Sequence, residues 1–125
     1  MSAANPAGPT SVPLVDIDDG TFKYVLIEAR PRGGGEATLF VRGHSSCEYH
    51  ADVLERTERE PAVQAANLSL RVLGGGRMKH DAQRRTLFIY GYSQQYGQAD
   101  HALAMRACEA HLGEGYEITT SNEGY

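Results

Sequence analysis

Histidines, cysteines and acidic clusters are the residues here whose type could do chemistry, and their spacing removes most of the possibilities. The five histidines (44, 50, 80, 101 and 111) show neither HExxH nor another strong metal-ligand spacing, so no metal site is expected. A cysteine phosphatase needs an arginine six positions after its nucleophile to cradle phosphate. Counting six from Cys47 and Cys108 reaches Val53 and Glu114 instead. The acids of DIDD, residues 16–19, precede the first expected strand and do not sit at a strand's C-terminal end, which argues against a metal pair. The glycines 74–76 are followed by Arg77 and an extended piece, so neither GxGxxG nor a P-loop fits, and a turn or a close backbone approach is expected. Arg77 after those glycines and Arg42 at a strand end could each aim a guanidinium at an anion, or be solvated surface charges.

His50, within CEYHADVLER at 47–56, raises a sharper question. By pattern alone it is an ordinary polar residue on an amphipathic helix. A helix N-terminus, however, carries unsatisfied N–H groups and a partial positive charge, which together make an anion site. A histidine in that first turn has its cation disfavoured and stays neutral, available as a base. The boundary decides between these readings. Ser45-x-x-Glu48 matches a capping box and would start the helix early, whereas a start nearer Glu48 aims the N–H groups of His50 and Ala51 outward.

The elements that must position these residues follow from periodicity. TFKYVLIEA reads as a strand with Lys23, Val25 and Ile27 on one face and Phe22, Tyr24 and Leu26 on the other. RPRGGGE is a turn, and ATLFVR a second strand that could form a hairpin with the first. Residues 48–60 suit a helix with Pro61 as its brake. LSLRVL is a third strand, ended by the three glycines, and TLFIYGY a fourth. SQQYGQ is a loop, ADHALAMRACEAHL a second helix from Ala99, and YEITT a short last strand. VDIDDG before the first strand reads as a turn cluster. The order ββαββαβ, five strands and two helices with loose ends, suggests a mixed sheet, and the fold expected is an α+β domain of about six strands packed with two helices.

Length and composition agree with a single domain. A chain of 125 residues buries ~65–70% of its unfolded surface, enough for one core. Residues 1–13, rich in Ala, Pro and Ser, are expected to be a disordered tail, with the domain at 14–125. Twelve basic against sixteen acidic side chains leave a charge of −4, which argues against a nucleic-acid partner. No apolar run reaches ~18 residues, so no membrane span is expected. Two cysteines without a CxxC read as free thiols of a reducing, cytoplasmic compartment.

VDID, FKYVLI, VRG, EYHAD, LGGGR with His80 close behind, YGYS, YG with His101 four residues on, and a terminal N-x-GY occur in that order. Through this series, from about Asp16 onward, the chain resembles the Janus family, the phosphohistidine phosphatases. The resemblance implies an enzyme that hydrolyses the P–N bond of phosphohistidine in proteins without metal or cofactor, and leaves open whether phospholysine is accepted as well. It implies a catalytic His50 acting as general base or nucleophile. Lys23 and the N–H groups of His50 and Ala51 then hold the phosphoryl group, Ser93, Gln94 and Gln95 bind substrate, and Arg42 and Arg77 line or flank the site. A monomer with phosphohistidine-containing protein partners is expected. The competing reading is a phosphate-binding regulatory module without turnover, which uses the same helix end and needs no working His50.

Overall fold

In the computed structural model, residues 12–123 are described. Of the expected tail, residues 1–11 lie outside them, as do the last two residues of the N-x-GY terminus. Val12 is already buried, so packing begins earlier than expected.

The elements run β1 (Val15–Ile17), β2 (Gly20–Pro31), β3 (Thr38–Gly43), α1 (His50–Glu58), α2 (Pro61–Ala66), β4 (Leu68–Asp81), β5 (Thr86–Tyr90), α3 (His101–Leu112) and β6 (Glu117–Thr120). The six strands form one mixed sheet in the order β1-β3-β2-β4-β5-β6, parallel at its two outer pairs and antiparallel between. The α+β class and the strand number match the expectation.

Strand alternation builds two cores on opposite faces. Phe22, Tyr24 and Leu26 join Met78, Leu87 and Ile89 beneath Ala104 and Cys108 of α3. Val25, Ile27 and Ala29 join Phe40 beneath Val53 of α1 and Val63 of α2.

Three expectations are corrected. VDI is not part of a turn cluster but a short strand paired in parallel with β3, Val15 opposite Val41, too brief to show a period. The three glycines do not end a strand: β4 passes straight through them, with the β2–β4 register shifting between Leu26 and Ile27. Glycine weakens a strand, yet here no other residue fits. An ideal Cβ would lie 2.7 Å from Ala99 Cα at Gly74, 2.7 Å from His50 Cδ2 at Gly75 and 2.4 Å from the Tyr90 carbonyl oxygen at Gly76. The close-approach reading of these residues is therefore the correct one. Finally, the described residues hold three helices, not two. Pro61 does not merely stop α1; it occupies the first turn of α2, where its missing N–H costs nothing and its φ is preset. Asn67, at φ 55°, ends that helix in the left-handed region.

Candidate active site

α1 begins at His50, later than either expected start. Ser45 does not cap it, because the Ser45 N–H donates to Asp18 Oδ2 at 2.8 Å and its hydroxyl meets the same oxygen at 3.1 Å. Instead the Asp52 carboxylate reaches back to the Tyr49 N–H at 2.9 Å, while the Asp52 N–H donates to the Tyr49 carbonyl at 3.0 Å. This reciprocal closure leaves the His50 and Ala51 N–H groups without a partner among the described residues, at the positive end of the helix.

That end opens on a cleft of about 210 Å³ lined by Lys23, Tyr49, His50, Ser93, Gln94 and Gln95. β2 supplies the lysine, α1 the histidine, and the loop after β5 the other polar groups. The loop is tied at its neck: Ser93 and Gly97 exchange backbone bonds at 3.1 and 2.8 Å, and Ser93 Oγ accepts from the Tyr96 N–H at 3.0 Å. With its oxygen so engaged, the Ser93 hydroxyl keeps its proton for a ligand.

The His50 ring is buried, and its Nε2 lies 2.9 Å from the Gly76 carbonyl oxygen. A carbonyl can only accept, so Nε2 carries the proton and the Nδ1 lone pair is left available. Burial holds the imidazole pKa below its ordinary value. The Gly76 hydrogen bond opposes that shift, while the charges of Lys23 and Arg77 reinforce it. Near neutral pH the ring is an uncharged base whose cation, once formed, is supported by Gly76.

Gly76 is itself clamped. Behind it the His101 Nε2 donates to the Gly91 carbonyl at 2.9 Å, and Nδ1 accepts from the Tyr24 hydroxyl at 2.5 Å. An added Cβ on Gly76 would lie 2.8 Å from His101 Cε1. Asp100 caps α3 through the Ala102 and Leu103 N–H groups at 3.1 and 3.3 Å, which fixes where His101 begins.

The structure thus gathers Lys23, His50, Ala51, Ser93, Gln94 and Gln95. Lys23 Nζ donates to the Glu48 carbonyl at 2.6 Å and lies 5.3 Å from the centre of the Tyr49 ring, so its charge is poised at the cleft mouth. Arg77 stands opposite Lys23 across the β2–β4 ladder.

Arg42 is the exception, and its expected freedom is corrected. It is fully buried, with Nε donating to Glu60 Oε2 at 2.8 Å and Nη2 to the Pro13 carbonyl at 2.7 Å. Further bonds run to the carbonyls of Leu14 and Val41. A guanidinium so employed ties the N-terminal segment and α2 to β3 and has nothing left for an anion.

Both cysteines are free thiols; burial, aided by Glu109, pushes Cys108 up to about 12, which makes it inert. Among the described residues no cluster of three or more His, Cys, Asp or Glu could hold a metal ion, and no helix is long and apolar enough to cross a membrane. A larger hollow of about 350 Å³, bordered by Arg32, Glu58, Gln64 and Asn67, holds none of the expected residues, so volume alone does not mark the site.

Sequence reading missed Tyr49, the Glu48 carbonyl and the Gly76 carbonyl. The run of glycines was the one signal that pointed near the last.

Comparison with known proteins gives the chain a family. A family model described as the Janus/Ocnus family matches residues 9–116. The chain is 43% identical to the sex-regulated protein janus-A of Drosophila pseudoobscura pseudoobscura, over 91% of this chain and 78% of that one. It is 41% identical to the 14 kDa phosphohistidine phosphatase of Homo sapiens, over 91% of this chain and 94% of that one. It is 39% identical to the protein of the same name from Sus scrofa over the whole of both chains.

Proposed function

The chain belongs to the Janus/Ocnus family, and on that premise we propose that it is a protein phosphohistidine phosphatase that works without a metal ion. The observation that carries this reading is the hydrogen bond from His50 Nε2 to Gly76, which presents Nδ1 as a base at the mouth of an anion-binding helix end. The names of the human and pig relatives supply the substrate class.

Phosphoryl transfer has a loose transition state, so catalysis is mainly positioning and charge stabilisation. Lys23, the N–H groups of His50 and Ala51, and the Ser93 hydroxyl hold the equatorial oxygens. Gln94 and Gln95 contact the substrate side chain, and Arg77 adds positive charge behind the site. His50 Nδ1 takes a proton from a water in line with the P–N bond. The P–O bond forms as the P–N bond breaks, and the electron pair leaves on the substrate imidazole, whose other ring nitrogen already carries a proton, so that the ring departs neutral. The Gly76 carbonyl steadies the imidazolium of His50 while it holds the proton. Phospholysine presents a P–N bond to the same groups and is a second expected substrate.

The test is hydrolysis of a phosphohistidine peptide by the wild type and by His50→Ala, with EDTA present. The wild type is expected to turn over undiminished, and the variant to lose roughly 10²–10⁴-fold in kcat. Full activity in His50→Ala overturns the assignment, and loss of wild-type activity in EDTA overturns the metal-free mechanism. Label retained on the protein from a radioactive phosphohistidine substrate converts His50 from base to nucleophile. A binding module without turnover instead predicts phosphate-analogue affinity that survives His50→Ala and no substrate consumed.

A further inference from the structure

α1 and α2 cover only part of their sheet face, the part over β3, the second half of β2 and the first half of β4. Beyond the cleft that face continues across the start of β2, the end of β4 and β5, with no helix over it among the described residues. Register identifies what it carries. Lys23 and Thr21 stand opposite Arg77 and Lys79, which in turn stand opposite Tyr90 and Phe88. The alternating residues Phe22, Met78, Leu87 and Ile89 turn the other way, into the core under α3.

The uncovered face therefore bears a stacked aromatic pair. The Phe88 and Tyr90 rings lie 4.8 Å apart at 11°, both partly open to solvent. Exposed Lys79 places Nζ 5.7 Å from the centre of the Tyr90 ring. Arg77 and Lys23 connect this group to the cleft without a break. Asp81 and Glu117, paired with Thr86 on neighbouring strands, put acidic charge at the far end. The face is cationic and aromatic beside the cleft and acidic away from it. Aromatic rings left half-open beside a site are unusual for a surface with no partner, because they hold large apolar area in water.

We propose that Lys79, Phe88 and Tyr90 form the docking surface for the segment of the substrate protein that flanks its phosphohistidine, and that this segment is acidic and carries a planar or apolar side chain. The proposal rests on the phosphatase reading of the cleft and deepens it. Lys79 is two residues along β4 from Arg77, roughly 7 Å, a span that the second or third residue beyond an anchored phosphohistidine covers. Its ammonium pairs with a flanking carboxylate, and the stacked rings take the neighbouring side chain. Single-stranded RNA also stacks on sheet aromatics, but the chain's net charge of −4 and the acids of this face disfavour a polyanion.

Three substrates separate docking from chemistry: free phosphohistidine, a peptide with one phosphohistidine flanked by Asp and Phe, and the same peptide with Lys for Asp. The wild type is expected to prefer the acidic peptide. Lys79→Glu should reverse that preference, shifting the ratio of kcat/KM values by about tenfold through KM, and leave free phosphohistidine unchanged. Tyr90→Ala should raise KM for both peptides. An unchanged ratio in Lys79→Glu, or an equal loss on free phosphohistidine, overturns the docking surface. If the wild type hydrolyses none of the three, the phosphatase reading fails separately, and docking is read from chemical shifts. Unphosphorylated acidic peptide should then move the Phe88 and Tyr90 resonances in the wild type and not in Lys79→Glu. No movement overturns the proposal, and stronger movement with single-stranded RNA overturns it in favour of nucleic acid.

Discussion

At the level of single residues, a hydrogen bond to a carbonyl decides what His50 is able to do. Two buried histidines, His50 and His101, have pKa values held below the ordinary value, in both cases by burial first. For His101, bonds and charge at Gly91 and Asp100 partly offset the shift. In the unfolded chain both titrate near about 6.5. Between their lowered folded values and that value the unfolded state binds more protons, so stability rises with pH. Thermal melts are therefore expected to show full stability above neutrality and a fall as pH drops through 6 toward 5; a flat profile there contradicts the buried neutral rings. The pH profile of kcat/KM should likewise keep its plateau below pH 6.5 before the acid limb appears. Lys23 offers a second test. Removing one charged donor from a phosphoryl cradle costs roughly 10²-fold, so Lys23→Ala should lose about that much in kcat/KM, whereas a loss under about twofold makes it a bystander.

Among the elements, β4 and the start of α1 make the site together. The strand is usable because residues 74–76 have no side chains, which lets His50, Tyr24 and Ala99 approach its backbone. Gly75→Ala would drive a methyl to 2.7 Å from His50 Cδ2. Displacing a catalytic group by about 1 Å costs on the order of 10²-fold, so activity should fall by that order while circular dichroism still reports a folded sheet. Wild-type turnover in Gly75→Ala argues against a tightly held ring. FKYVLI was readable as a strand because it is a run of aromatic, β-branched and other apolar residues around one lysine, buried on both faces from Tyr24 to Ile27. VDI and PAVQAA were not, since three residues show no period and Pro61 reads equally as a stop or a start.

For the molecule as a whole, Arg42 is a structural knot. It fastens the Pro13–Leu14 carbonyls and the N-cap residue of α2, Glu60, to β3, the strand beside the β1 edge of the sheet. Removing one partner of a buried pair leaves an uncompensated charge, at roughly 3–5 kcal/mol. The side chain of Glu60 is 21% exposed, which places Glu60→Ala near the lower figure, about 3 kcal/mol in denaturant unfolding. The folded fraction should keep wild-type KM, because this pair does not touch the cleft. A raised KM with unchanged stability would instead return Arg42 to the site.

The sequence by itself determined the residue types, their order along the chain, the two-faced central strand and the placing of His50 near a helix start. It marked Lys23, Ser93, Gln94 and Gln95 only through their resemblance to a family, since the four come from segments far apart in the chain. Tertiary structure alone decided that Arg42 turns inward, that α1 begins at His50 and that the Gly76 carbonyl meets Nε2. The reason is physical: every residue carries the same backbone carbonyl, so no side-chain code says which carbonyl an imidazole will meet. That choice falls to strand register, here shifted by one residue opposite Leu26 and Ile27, and register is set by how the whole sheet packs.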